Sequence, residues 1–259
     1  MVRKRQADPR FENLTQLFDS IKPKPNEYVV FTDFIDLSIN YYSPNYKVDL
    51  NHIQQRYDQN ELNTFGLMFK ECLEIMGKEF KTEKCFDLFG TFVRSHKTLN
   101  RYFDPHFTLP PELAKLMAMG KDYKNAKTFY NPSCGTARIS LEVNGLKAGL
   151  FHTLIGKDYL CVKISALNLM LHGIDGIVVC DSALNPQSNF KGAFIVNRVL
   201  HIEKYPRIDH VDDSKVAYHY IDTRVPEKKI QAKFEELKKE QKDKRETKQK
   251  SGKNQKGMS

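Results

Sequence analysis

The sequence predicts an α/β fold in which a parallel, doubly wound sheet follows a helical N-terminal domain. Residues 11–100 carry apolar side chains at helical spacing. Residues 128–197 instead alternate short apolar runs, typical of strands, with helical stretches. A chain of 259 residues with 40% apolar content is long enough to bury a sizeable core. We therefore predict a helical domain (1–102), a Rossmann-like domain (103–225) and a basic tail (226–259).

The N-terminal domain is predicted from four segments whose apolar residues recur every three or four positions. They are FENLTQLFDSI (11–21), VVFTDFIDLSINYY (29–42), LNTFGLMFKECLEIMG (62–77) and CFDLFGTFVRS (85–95). The region has no glycine-rich phosphate loop and no cluster of His and Cys. We expect these helices to pack against the rest of the chain and assign them no functional residue.

The second domain begins with FDPHFTLPPELAKLMAMG (103–120), where Thr108 is a candidate N-cap and the prolines 110 and 111 start a helix. The predicted strands are TFYN (128–131), LFHTLIGKD (150–158), GIVVCD (176–181) and GAFIVN (192–197), and YLCVKISALNLMLHG (159–173) is predicted as an amphipathic helix. Two strand-like runs after Asn197 are expected to close the sheet as a hairpin. The alternation predicts helices on the faces of the sheet.

Polar residues end each of the four predicted strands: Asn131, Asp158, Asp181 and Asn197. In parallel α/β sheets, ligands bind outside the carboxyl ends of the strands, where the strand order reverses. We therefore expect the four side chains to converge on one crevice. Asn and Asp also end strands because they form turns, and this alternative stays open for each residue. The stretch NPSCGTA (131–137) predicts a tight turn at this edge.

The charge distribution and the cysteine content limit the possible partners and the cellular environment of the protein. The tail holds 12 Lys or Arg against 6 Asp or Glu, which is +6 of the net charge of +9. It is predicted to form a short helix that passes into disorder, and it is either a solvated end or a contact for nucleic-acid phosphates. The five cysteines form no CxxC pair, so we expect buried thiols without a disulfide or metal site. No apolar run is long enough for a membrane span, and the expected location is the cytoplasm.

The segments FTLPPELAKLM, NPSCGTA, IGKD, KISALNLMLHGI, the pair Asp181-Ser182 and AFIVNRVL together resemble a known family. In order and spacing they are similar to the adenine-N6 DNA methyltransferases, specifically the modification subunit of type I restriction-modification systems. The resemblance covers residues 85–200. NLMLHGI is its most specific string, and NPSCGT is the next.

The resemblance implies a class I methyltransferase sheet of Rossmann type that binds S-adenosyl-L-methionine. The cofactor-binding residues that it implies are Thr108, Asn131, Ser133, Gly135, Asp158, Asp181 and Ser182. Among these, Gly135 would let the turn approach the methionine carboxylate, Asp158 would accept from the ribose hydroxyls, and Asp181 would face the adenine amine. The implied catalytic residue is Asn197, which would accept a hydrogen bond from the amine of an adenine flipped out of DNA.

Three departures from the family pattern concern both halves of this site. Asn131 stands where the family has Asp, Ala137 stands where it has Gly, and Asn197-Arg198-Val199-Leu200 replaces Asn-Pro-Pro-Phe. Two hypotheses follow: an S-adenosylmethionine-dependent DNA adenine-N6 methyltransferase, or a catalytically silent relative that binds DNA or a restriction-modification partner. The expected partners are DNA and a specificity or second modification subunit, because the chain has no room for its own target-recognition domain.

Overall fold

The computed structural model describes residues 8–22, 26–82, 85–103 and 109–224. Within these ranges the chain folds into ten α-helices and one five-stranded sheet, which confirms the α/β class. The helices are α1 (Glu12–Ser20), α2 (Glu27–Tyr42), α3 (Leu50–Arg56), α4 (Gln59–Glu79), α5 (Leu88–Ser95), α6 (Pro111–Met119), α7 (Arg138–Leu146), α8 (Tyr159–Leu171), α9 (Leu200–Glu203) and α10 (Ser214–Arg224). The strands are β1 (Thr128–Asn131), β2 (Phe151–Gly156), β3 (Gly176–Cys180), β4 (Gly192–Val196) and β5 (Ile208–Val211).

Four of the five α-helices before residue 100, α2, α3, α4 and α5, begin at a side chain that caps the first turn. Asn26 accepts from the amide of Val29, and Asp58 and Glu61 form a reciprocal capping box at the start of α4. The four predicted segments correspond to α1, α2, α4 and α5. The short helix α3 was not predicted, because it buries only Ile53 and so has little apolar periodicity.

The sheet is mixed, which corrects the prediction of a parallel doubly wound sheet. β1, β2 and β3 are parallel neighbours, whereas β4 runs antiparallel to β3 and β5 antiparallel to β4. Parallel neighbours need a crossover, usually a helix, and residues 181–191 between β3 and β4 contain none. The strand order follows the chain order, so the sheet has no point at which the order reverses. Alternation in sequence cannot reveal a strand's direction.

The chain after β4 also differs from the predicted hairpin. Only β5 is a strand, and the second strand-like run forms the helix α10. Ala217 and Ile221 lie one helical turn apart on α10 and pack against the face of the sheet that carries Ile177 and Ile195. A helix buries both side chains together there.

The helix α8 lies between the opposite face of the sheet and the N-terminal helices. It contacts β2, β3 and β4 as well as α2 and α5, and every residue from Leu160 to Met170 is buried. The predicted amphipathic character is therefore wrong, because both sides of α8 are covered by protein. One hydrophobic core joins α8, the sheet and the N-terminal helices across the predicted domain boundary at residue 102. The predicted tail, 226–259, lies outside the described residues.

Candidate functional site

The NPSCGTA segment forms the tight turn that the sequence predicts, directly after β1. The amide of Cys134 donates to the carbonyl of Ile155 at 2.8 Å, and the amide of Ala137 donates to the carbonyl of Cys134 at 2.8 Å. Gly135 has a φ of +52° and Ala137 a φ of +68°, so the chain reverses through left-handed conformations. The first bond ties the turn to the carboxyl end of β2.

A cavity of about 560 Å³ opens at the carboxyl ends of β1 and β2. Three of the predicted cofactor-binding residues line it together: Ser133, Gly135 and Asp158. Cys134, Gly156, Cys161 and their neighbours complete the wall formed by the ends of β1 and β2 and the start of α8. The structure thus brings three of the predicted residues that follow the first two strands to one crevice. The volume falls in the range of small-molecule pockets.

Asp158 is exposed at the mouth of this crevice and is also the N-cap of α8. Its Oδ1 accepts from the amide of Cys161 at 2.8 Å. The start of α8, a helix of 13 residues, therefore faces the cavity, and its peptide dipoles make that end of the cavity favourable for negative groups.

Aromatic side chains from the N-terminal region form the opposite wall, and sequence reasoning missed them. Tyr28 of α2 lies 5.6 Å from Phe103 and 6.2 Å from Tyr102, between ring centroids, and all three line the cavity. Burial, together with the negative charge of Asp158, raises the pKa of Tyr28. The adjacent aromatic pair at 102 and 103 was the one available signal in the sequence. Tyr28 had none, because its spacing fits an ordinary core position of α2.

Asn131 lies beneath the turn and does not line the cavity. It is buried, and its Oδ1 accepts from the amide of Ser133 at 3.1 Å. An Asp at this position would accept the same bond, so the substitution that departs from the family keeps the turn-forming contact. Ala137 is also buried away from the cavity, within the core. The methyl group that distinguishes Ala137 from the family's Gly therefore does not line the crevice.

Asp181 serves the loop between β3 and β4. It is 1% exposed, and its two oxygens accept four hydrogen bonds, from the amides of Ser182, Gln187 and Asn189 and from the hydroxyl of Tyr218. Burial and this carboxylate raise the pKa of Tyr218. Neither Asp181 nor Ser182 lines the crevice. The expected contact with an adenine amine is not formed by this arrangement, because the carboxylate oxygens already have loop partners.

Asn197 lies at the end of the sheet opposite the carboxyl ends of β1, β2 and β3. The predicted convergence of four polar residues is therefore wrong. Antiparallel pairing sets Val196 beside Gly176, the first residue of β3. The Nδ2 of Asn197 donates to the carbonyls of Leu169, Met170 and Ile174 at 3.2–3.3 Å. The carbonyls of Leu169 and Met170 already accept from the backbone amides of Ile174 and Gly173, so Asn197 adds a side-chain donor where the chain leaves α8. Asn197 thus caps a helix and does not reach the crevice.

The NLMLHGI string also has a structural use. The Nδ1 of His172 donates to the carbonyl of Asn168 at 2.7 Å, and its Nε2 accepts from the amide of Phe86 at 3.2 Å. His172 thereby joins the end of α8 to the segment before α5. Thr108, the remaining predicted cofactor residue, lies outside the described residues.

Buried thiols near the crevice are poor nucleophiles. Burial raises the pKa of Cys134 to about 12 and also raises that of Cys161. Four of the five cysteines are buried, as predicted, and Cys85 is half-buried. Within the described ranges, no group of three or more His, Cys, Asp or Glu is arranged to hold a metal ion. The same ranges contain no helix that is long and apolar enough to cross a membrane.

A second cavity, of about 630 Å³, lies among the N-terminal helices and is lined by residues between 8 and 30 and between 95 and 98. The carboxylates of Asp8, Glu12, Asp19 and Glu27 line it, against one lysine, Lys97. Its negative lining is unfavourable for a ligand with a carboxylate or phosphate. We therefore treat the crevice beside the turn as the candidate site.

Comparison of the chain with protein-family models, with curated proteins and with solved structures gives no match.

Proposed function

We propose that this chain binds S-adenosyl-L-methionine in the crevice beside β1 and β2 and is a catalytically silent relative of the adenine-N6 DNA methyltransferases. The observation that carries the proposal is the grouping of Ser133, Gly135 and Asp158 around one cavity of about 560 Å³. These residues follow two separate strands, and the family resemblance implies that all three bind the cofactor.

The turn supplies the contact for the methionine carboxylate of the ligand. The amides of Ser133, Cys134 and Ala137 already donate within the protein. Gly135 lines the cavity and has no Cβ, so its amide is the turn donor that a carboxylate can approach. The nearby start of α8 favours the same negative group.

The nucleoside half of the ligand fits the remaining walls. Asp158 keeps Oδ1 on the amide of Cys161, and Oδ2 accepts from a ribose hydroxyl. Tyr102, which is 45% exposed, and Phe103 offer ring faces on which a base can stack. Stacking on these rings is the proposed contact for the adenine base, because Asp181 does not line the crevice.

The silent character follows from Asn197. S-adenosylmethionine supplies an electrophilic methyl group when bound, and transfer needs an acceptor amine held beside that methyl group. The side-chain amide of Asn197 donates to carbonyls at the end of α8, at the end of the sheet opposite the crevice. Asn197 therefore does not hold an acceptor amine at the crevice. Binding of DNA or a restriction-modification partner remains part of the proposal, with the basic tail as the contact for phosphates.

The proposal is tested by titrating the full chain with S-adenosylmethionine in a calorimeter and then assaying transfer of labelled methyl to mixed-sequence DNA. We expect saturable binding of one ligand per chain, displacement by S-adenosylhomocysteine, and no transfer. Absence of binding would contradict the cofactor assignment. Transfer that disappears in Asn197→Ala would contradict the silent assignment.

A further inference from the structure

Asp87, the N-cap of α5, makes more contacts than a helix cap requires. It is 4% exposed, and its Oδ1 accepts from the amide of Gly90 and from Nδ2 of Asn168, each at 2.9 Å. Its Oδ2 accepts from the hydroxyl of Thr136 and from Nε of Arg138, the latter at 3.0 Å. Capping needs only the bond to Gly90. The other three bonds connect α5 with α8 and with the turn after β1.

Two of these partners, Thr136 and Arg138, flank Ala137 on the turn. Asn168 adds a third attachment, because its Nδ2 also donates to the carbonyl of Thr136 at 2.8 Å. Arg138 is 6% exposed, and its charge is paired with Asp87 inside the protein. The N-terminal helices therefore hold the turn through the buried carboxylate of Asp87, and Arg138 makes a second contact with α5 at Thr91.

The turn contains two residues in the left-handed backbone conformation. Gly135 and Ala137 both have left-handed φ values, and a non-glycine residue in that conformation persists only where its surroundings determine it. Asp87 itself does not line the cavity. It can affect a ligand only through the position of residues 134–137.

We propose that Asp87 is a positioning residue for the ligand site and sets the turn in the conformation that presents Gly135 to the crevice. This inference rests on the proposed function for its link to S-adenosylmethionine. Its structural part, control of the turn by a residue of the N-terminal helices, stands independently of any ligand.

Two isosteric variants separate positioning from stability. Thr136→Val removes the hydroxyl that donates to Asp87 on the turn. Thr91→Val removes a hydroxyl that accepts from Nη2 of Arg138 at 2.8 Å, in the same network but on α5. Both delete one hydrogen bond to a charged group, so similar losses of stability are expected. Only Thr136→Val removes a bond made by the turn itself, because Arg138 is the first residue of α7 and keeps its bond to Asp87 in Thr91→Val.

The first measurement is hydrogen exchange of the amides of Cys134 and Ala137 in the unliganded full chain. We expect exchange about tenfold faster in Thr136→Val and unchanged in Thr91→Val, in line with the loss of one hydrogen bond to a carboxylate. Equal exchange in the two variants would overturn the inference, whether or not the chain binds a ligand.

The second measurement is the calorimetric affinity for S-adenosylmethionine. Thr136→Val should bind about tenfold more weakly than wild type, while Thr91→Val should bind as wild type does. Faster exchange with unchanged affinity would overturn the link between the turn and the ligand. Failure of wild type to bind would refute the proposed function and leave the exchange result to decide the role of Asp87.

Discussion

At the scale of single residues, His152 is the least compensated polar group in the described sheet. It is fully buried in β2, 5.2 Å from the ring of Phe129 between centroids, and neither ring nitrogen has a hydrogen-bond partner within the described ranges. Burial lowers its pKa to about 4. The folded protein therefore holds His152 neutral at pH values where an unfolded chain would protonate it.

This difference makes stability depend on pH. The folded pKa lies below the unfolded value near 6.5, so the unfolded state binds more protons between pH 6.5 and 4, and stability falls as pH falls through that window. Between pH 7 and pH 5, His152 should cost about 2 kcal/mol of unfolding free energy. Urea unfolding at both pH values measures this difference.

His152→Leu should remove most of this contribution. His172 and His210 also have pKa values lowered by burial and will contribute in the same direction, so the comparison between variants is decisive. An identical pH dependence in wild type and His152→Leu would show that His152 is not held neutral.

At the scale of elements, periodicity predicted which segments are helices and strands, but not how the strands pair. The four predicted strands all exist, and three site residues that the family resemblance implied, Ser133, Gly135 and Asp158, follow two parallel strands. Asn197 could not be judged in the same way. Its role depends on the antiparallel direction of β4, which long-range contacts determine and local sequence does not.

The capping of α8 by Asn197 gives a prediction about stability. Asn197 has a φ of +56°, so Asn197→Gly removes the amide while keeping a backbone conformation that glycine adopts freely. The carbonyls of Leu169, Met170 and Ile174 lose this side-chain donor, although the first two keep backbone amide donors, so the free energy of unfolding should fall by about 0.5–1.5 kcal/mol. Urea denaturation provides the measurement, and affinity for S-adenosylmethionine should not change.

Lys204→Gly is the matched control, because Lys204 has a φ of +57° at an exposed site. Relief of the left-handed conformation and the greater entropy of the unfolded chain act in opposite directions, so stability should stay within about 1 kcal/mol of wild type. If Asn197→Gly is as stable as Lys204→Gly, the cap contributes nothing. If it instead loses ligand affinity at full stability, Asn197 belongs to the binding site after all.

At the scale of the whole molecule, the crevice is a joint product of the N-terminal helices and the sheet. Tyr28, Tyr102 and Phe103 form one wall, and the strand ends and α8 form the other. The sequence assigned no function to the first 100 residues, because aromatic residues at helical spacing look the same whether they fill a core or face a ligand. Only the packing of α2 near the start of α8 distinguishes the two.

Asp87 was missed for a related reason. It lies within CFDLFGTFVRS, a segment predicted as a helix, and the structure shows it to be the N-cap of α5. Its bonds to Thr136 and Arg138 cross 49 and 51 residues of sequence. Such contacts between distant segments leave no signal in local spacing, so only the assembled molecule shows them.

The central claim, that the crevice binds S-adenosylmethionine through Asp158, is tested most directly by calorimetric titration of Asp158→Asn. Asparagine caps a helix as well as aspartate does, so α8 should keep its start while the carboxylate is lost. Asp49→Asn, at the exposed N-cap of α3, is the control. We predict that Asp158→Asn binds at least about tenfold more weakly than wild type with unchanged thermal stability, and that Asp49→Asn binds normally. Equal affinity of Asp158→Asn and wild type would contradict the claim.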